Sequence, residues 1–129
     1  MANEPSPDRA RETYDAGRAA LEAGDTDLAI QHLETSIAEY PHFKALELLG
    51  EAWLRKGDPR RAIVPLAAAT TLNAQVRAPS LLSEALLALG DALEAHRVAQ
   101  LALERDARNK KARSVLEATA EAYRKWTEQ

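Results

Sequence analysis

Four cationic side chains recur along the chain at one constant step: Arg11, Lys44, Arg77 and Lys110. Three further rows run in step with them: Tyr14, Glu47, Ser80 and Arg113; Arg18, Glu51, Glu84 and Glu117; Leu21, Leu54, Leu87 and Ala120. Offsets of 3, 4 and 3 within each set put its members on one face of a helix. The sixteen positions carry six positive and four negative charges, net +2 on a chain of formal charge −3. The chemistry such rows can do is recognition: ion pairing and apolar contact along a surface. Helices packed about 8–10 Å apart would line equivalent side chains up as ladders across it. A weakly basic, partly apolar surface of this kind suits an extended or helical peptide with acidic groups and an apolar anchor. Duplication alone would also leave rows of this kind, and Arg18 beside Glu51 reads equally as a surface ion pair worth about 0–1 kcal/mol.

Bond-making chemistry has little to work with. Asp25, Asp58 and Asp91 each follow a glycine and read as helix N-caps rather than acids. His32, His42 and His96 have no metal-ligand spacing, and Ser36 reads as a small residue in a packing slot. With no cysteine there is no disulfide scaffold, thiolate metal site or thiol nucleophile. No glycine-rich phosphate loop occurs. The sequence therefore predicts no enzyme, no cofactor and no metal.

The rows need helices to hold them, and the stretch from Phe43 to Ala74 shows how these are built. Leu46, Leu49, Gly50 and Trp53 share one face of a first helix. Gly57 ends it, Asp58 caps the next helix, and Pro59 occupies that helix's first turn. Ala62, Leu66 and Ala69 form the inward stripe of the second helix. Pro65, beyond the first turn, removes one backbone hydrogen bond and predicts a kink that either widens a groove or is tolerated on a convex helix.

Shifted by 33, this stretch lands on its neighbours. Gly24-Asp25, Gly57-Asp58 and Gly90-Asp91 coincide, as do Ala29, Ala62 and Ala95. Leu33, Leu66 and Ala99 also coincide, and Gly17, Gly50 and Ser83 keep one helix position small. Two helices per unit at a constant period predict a helical solenoid.

The pattern Leu46-x-x-Leu49-Gly50-x-x-Trp53, followed by Ala62, Leu66 and Ala69, resembles the tetratricopeptide repeat. The resemblance implies an all-α, right-handed superhelix whose first helices line a concave groove. It departs from the family in its period, in Pro79 at a place expected to be bulky, and in Ala74 and Ala107 where a closing proline is expected. Some relatives clamp the C-terminal carboxylate of chaperone tails with basic and amide side chains. The matching places here are Tyr14, Arg18, Leu48, Arg77 and Leu81, of which only Arg77 keeps both type and place, which argues against a chaperone-tail clamp. The resemblance implies a protein-interaction module, with the face from Arg11 through Arg113 as the partner-binding groove. Self-assembly through the stack ends or the last helix, where Tyr123 and Trp126 lie, is the rival expectation.

The expected organisation is a disordered tail over 1–6 and one domain over 7–127. Repeats are placed at about 10–42, 43–75 and 76–108, with a capping helix over 109–127. That gives seven antiparallel helices, the first opened by Ser6 as N-cap and Pro7. A chain of 129 residues, 46% hydrophobic, can build such a core unaided. The acid-leaning charge argues against a nucleic-acid partner, and Lys110-Lys111-Ala112-Arg113 reads as a solvated face. No apolar run is long enough to span a bilayer and the first residues carry no apolar signal-like run, so no membrane partner is expected and a cytoplasmic protein is, as a monomer or weak homo-oligomer. Ala and Arg usage hints at a bacterial source.

Overall fold

The structure, a computed structural model, describes residues 4–129. It consists of seven helices: α1 Pro7–Glu22, α2 Thr26–Glu39, α3 Phe43–Arg55, α4 Pro59–Leu72, α5 Arg77–Ala88, α6 Ala92–Arg105 and α7 Lys110–Thr127. No strand occurs among the described residues. Residues 1–3 of the expected tail lie outside them. Ser6 caps α1 by accepting from the Arg9 N–H, and its own N–H donates to Glu39 Oε1 at 2.9 Å.

The three Gly-Asp turns are built alike. Gly24, Gly57 and Gly90 all sit at positive φ, in the left-handed region that a side chain would strain. The next residue's N–H closes back to the ending helix, from Asp25 to Ala20 O at 2.9 Å and from Asp58 to Trp53 O at 2.9 Å, which satisfies carbonyls the helix end leaves free. Its side chain then caps the following helix: Asp25, Asp58 and Asp91 accept from Leu28, Arg61 and Glu94 N–H. One residue thus ends one helix and starts the next, which fixes the hairpin angle.

Packing follows chain order, each helix against the next. The first helices of successive hairpins also touch in sequence, α1 on α3, α3 on α5 and α5 on α7, whereas α2, α4 and α6 do not reach one another. The inner row is therefore the closely spaced, concave side of a helical repeat solenoid. The core is a strip between the two rows, from Ala20, Leu33 and Leu49 through Leu46 and Ala69 to Leu66, Leu82, Ala99 and Val115.

Close approach within each hairpin rests on complementary sizes. A Cβ on Gly17 would come within 2.8 Å of Leu33 Cγ, and one on Gly50 would fall inside the Leu66 side chain. In the third hairpin Ala99 replaces that leucine, and the inner position accommodates Ser83, whose hydroxyl donates to Ser80 O at 2.7 Å. Pro65 lies buried within α4, which runs unbroken from Pro59 to Leu72.

At the C-terminal end the chain departs from its own repeat. His96 stands where the earlier second helices carry Ile30 and Ile63, and Thr119 stands where the first helices carry Trp53 and Leu86. His96 Nδ1 and Thr119 Oγ1 lie 2.8 Å apart, linking α6 to α7. α7 has no Gly-Asp turn, so Tyr123 continues the helix and stacks on His96 with ring centroids 4.0 Å apart. No helix among the described residues is long and apolar enough to cross a membrane.

Candidate functional site

The inner row carries four adjoining clefts that share side chains. The first, about 500 Å³, opens between α1, α3 and α5 and is lined by Tyr14, Arg18, Leu21, Lys44, Glu47, Leu48, Glu51, Arg55 and Arg77. Tyr14, Arg18 and Lys44 continue into the second, beside Arg11 and His42. Glu51 leads to the third, with Leu54, Leu81, Glu84 and Lys111. Glu51, Arg77 and Leu81 lead to the fourth, with Ser80, Asn109 and Lys110. Twelve of the fourteen expected groove residues line one or more of these clefts. Leu87 and Arg113 do not: Leu87 packs on the core, and Arg113 donates to Ala107 O at 2.8 Å.

The expected solvent-facing leucine row requires correction. Leu21 is 4% exposed within the N-terminal core cluster, and Leu54 and Leu87 pack against the C-terminal one. At about 100° per residue, Leu54 and Leu48 stand about 60° to either side of Glu51 on the helix wheel. Each points at a neighbouring hairpin, Leu48 into the first core cluster and Leu54 against the last. The leucines of the row pack between neighbouring hairpins, and of them only Leu21 and Leu54 still show an edge in the clefts. Leu48 and Leu81 complete the groove's apolar floor. The equal-spacing argument missed both because their row is uneven, running Asp15, Leu48, Leu81, Ser114.

Ion pairing also differs from the expected ladder. Arg18 pairs with Glu22 of its own helix at 3.3 Å rather than with Glu51. Glu51 is held by Arg55 at 2.7 Å and by Arg77, which also bonds Glu47 Oε1 at 2.8 Å. Both carboxylates are shielded, with side chains 14% and 13% exposed. Arg77 therefore bridges α3 and α5, while Lys111 bridges α7 to Glu84 at 3.4 Å. Arg11, Lys44 and Lys110 form no ion pair among the described residues. Ser80 is buried, donating to Asn109 Oδ1 at 2.9 Å and so steadying the α7 N-cap.

His42 was not expected to have a role at the groove's edge. Its Nδ1 accepts from the Ala45 N–H, capping α3, and its Nε2 faces Ser36 Oγ at 3.3 Å. The Ser36 hydroxyl donates on to Ala10 O at 2.6 Å. A neutral imidazole protonated at Nε2 therefore joins the first three helices. Burial pushes its pKa down, and the Lys44 charge lowers it further. Among the described residues, no group of three or more acidic or histidine side chains could hold a metal.

Residues 14–77 match the family model described as tetratricopeptide repeat. No curated protein sequence matches the chain. Among solved structures, the chain is similar to the first such domain of Spaghetti (RPAP3) bound to the HSP90 peptide SRMEEVD. The TM-score is 0.86 at 21% identity, over 92% of this chain and 96% of that one. It is also similar to the second domain of human RPAP3 in complex with an HSP70 peptide, with a TM-score of 0.83 at 21% identity, over 89% and 98%. The Yersinia enterocolitica type III secretion chaperone SycD, in complex with a peptide of the translocator YopD, gives 0.83 at 22% identity, over 93% and 98%.

Proposed function

Because this chain belongs to the tetratricopeptide repeat family, we propose that it is a protein-interaction module that holds a peptide segment of a partner along its inner helices. The observation that carries this reading is the continuity of the inner row. Contacts from α1 to α7 make one uninterrupted trough whose clefts share Tyr14, Lys44, Glu51 and Leu81. Three of the similar structures hold peptides of partner proteins.

The groove's chemistry narrows the segment. Arg11 and Lys44 are free to meet acidic side chains at the α1–α3 end, and the edges of Leu48 and Leu81 offer an apolar seat. Arg77 is already held by Glu47 and Glu51 and Arg18 by Glu22, and Leu48 and Leu81 offer no donor to a carboxylate clamp. An acidic internal segment with an apolar anchor fits better than a free chain terminus. Its recognition needs no covalent chemistry: the preformed trough supplies the surface and the partner bears most of the ordering entropy.

Peptides selected from a random display library on this protein test the reading. Replacing Arg11 and Lys44 with Glu should leave the circular-dichroism spectrum and melting unchanged while weakening the groove-bound peptides by about tenfold or more. Unchanged binding of every selected peptide would overturn it.

Self-assembly is the second reading, favoured by Trp126, which is 54% exposed beside Tyr123 on the last turn of α7. Light scattering on a size-exclusion column across a concentration series decides it. A dimer lost on Trp126→Ala supports assembly, and a constant monomer opposes it.

A further inference from the structure

The outer side of the middle repeat is built unlike its two copies. Between α2 and α4, which do not touch, lies a cleft of about 640 Å³ floored by Leu49, Trp53 and Pro65. Glu34 walls it on the α2 side, and Arg60, Arg61 and Val64 of α4 form the opposite lip. Val64 is 77% exposed, the most exposed large apolar side chain of the described residues. The Arg61 guanidinium lies over the Trp53 ring at 5.1 Å, and Lys56 Nζ lies 5.6 Å from its centre.

Shared ancestry does not account for these residues. One repeat earlier and one later, Trp53 is replaced by Ala20 and Leu86, Arg60 by Asp27 and Leu93, and Val64 by Gln31 and Arg97. Pro65 replaces His32 and Val98. Its ring offers no N–H to the Arg61 carbonyl four residues back, which leaves that backbone acceptor without its helical donor. A half-buried tryptophan and an exposed valine are therefore gathered beside Arg60 and Arg61.

Of the cations on this face, only Arg60 stands unpaired among the described residues. Lys56 pairs with Asp27 at 2.6 Å, and Arg61 approaches Asp58 only at 3.7 Å. Of the residues that line the cleft itself, Arg60 and Arg61 stand against one carboxylate, Glu34. A lining of net +1 that includes the unpaired Arg60, on a chain of formal charge −3, favours an occupant of opposite sign.

We infer that this cleft is a second docking site, separate from the inner groove, for a protein segment that inserts an apolar side chain against Trp53 and Val64 and sets a carboxylate against Arg60 and Arg61. Desolvation by the inserted side chain would strengthen the cations' hold on both the carboxylate and the indole face. The chain could then engage two segments at once, one on each side of the sheet of helices.

Peptides from the same display selection are measured by fluorescence polarisation against wild type, Arg60→Glu, Val64→Asp and Lys44→Glu. Glu at position 60 lies in the first turn of α4, where negative charge is favourable, and position 64 faces solvent, so both variants should fold. The expected result is a class of peptides, carrying Asp or Glu beside an apolar residue, that loses about tenfold or more on both Arg60→Glu and Val64→Asp. That class should keep its affinity for Lys44→Glu, which weakens only groove binders. The inference is overturned if no selected peptide responds to the outer-face variants, if the responsive ones are basic, or if they respond equally to Lys44→Glu.

Discussion

Arg77 at the first turn of α5 bonds Glu47 of α3 at 2.8 Å, and its second terminal nitrogen bonds Glu51 one turn further along α3. The arginine is half exposed while both carboxylates are shielded, so the bridge fixes the spacing of the two central inner helices more than it offers charge to a partner. Arg77→Ala should lower stability by about 1 kcal/mol, the upper end for a pair with one solvent-facing member. Denaturant unfolding at low and high salt checks this, and the difference between variant and wild type should shrink as salt rises.

Gly50 and Leu66 occupy space that a methyl group cannot share. Gly50→Ala should cost about 1–3 kcal/mol through overpacking. In a Leu66→Ala background the same change should cost clearly less, because the third hairpin already pairs Ser83 with Ala99. A double-mutant cycle by urea unfolding reads the coupling, and additive effects would mean that the two side chains do not meet. Leu49→Ala, which removes a buried side chain from the same face, should cost about 2–5 kcal/mol.

Arg105 of α6 reaches back one repeat and donates to Asn73 O at 3.0 Å, Gln75 O at 2.9 Å and Thr70 O at 3.2 Å. One guanidinium thereby satisfies carbonyls at the end of α4 and in the loop to α5. Arg105→Ala should cost about 1–3 kcal/mol, since it leaves several acceptors without a charged donor. Hydrogen exchange should show faster amide exchange at residues 73–76 in the variant, with the hairpin of α1 and α2 unaffected.

His96 is buried in the α6–α7 contact, and burial pushes its pKa below the ordinary 6.5. The Thr119 hydroxyl donates to Val115 O at 2.8 Å. The neutral imidazole therefore donates from Nδ1 to Thr119. His42, capping α3 through Nδ1, is shifted in the same direction. For both, the unfolded chain takes up a proton at higher pH than the fold does. The stability present above about pH 6.5 is therefore lost as pH falls through the lowered folded values. Melting temperature should drop between about pH 7 and pH 5. The double replacement His96→Ile with Thr119→Leu, which restores the residue types of the Ile63–Leu86 junction, should reduce that drop to the part His42 carries.

The architecture was legible because its determinants are short-range and repeated. Gly-Asp turns at constant spacing define the hairpins, and the Gly50–Leu66 match defines how closely they fold. Side-chain partners across the inner row were less legible, because equal spacing gives alignment but not direction. The constant step places Arg18 level with Glu51, yet Arg18 turns to Glu22 on its own helix and Glu51 to Arg77 on the next hairpin. The leucine row was misplaced for a related reason: a face about 60° off the groove centre meets a neighbouring helix, which one helix's pattern cannot reveal. His42 lay in a loop with no periodic counterpart, so nothing in the spacing marked it as a cap.

Amide chemical-shift mapping of a peptide selected on the Val64→Asp protein, whose outer cleft is blocked, tests the central claim most directly. The account predicts shifts concentrated at Tyr14, Arg18, Lys44, Leu48, Arg77 and Leu81 on the inner helices, and loss of binding on Arg11→Glu with Lys44→Glu. Shifts confined to the outer faces of α2, α4 and α6, or to the end of α7, would contradict it.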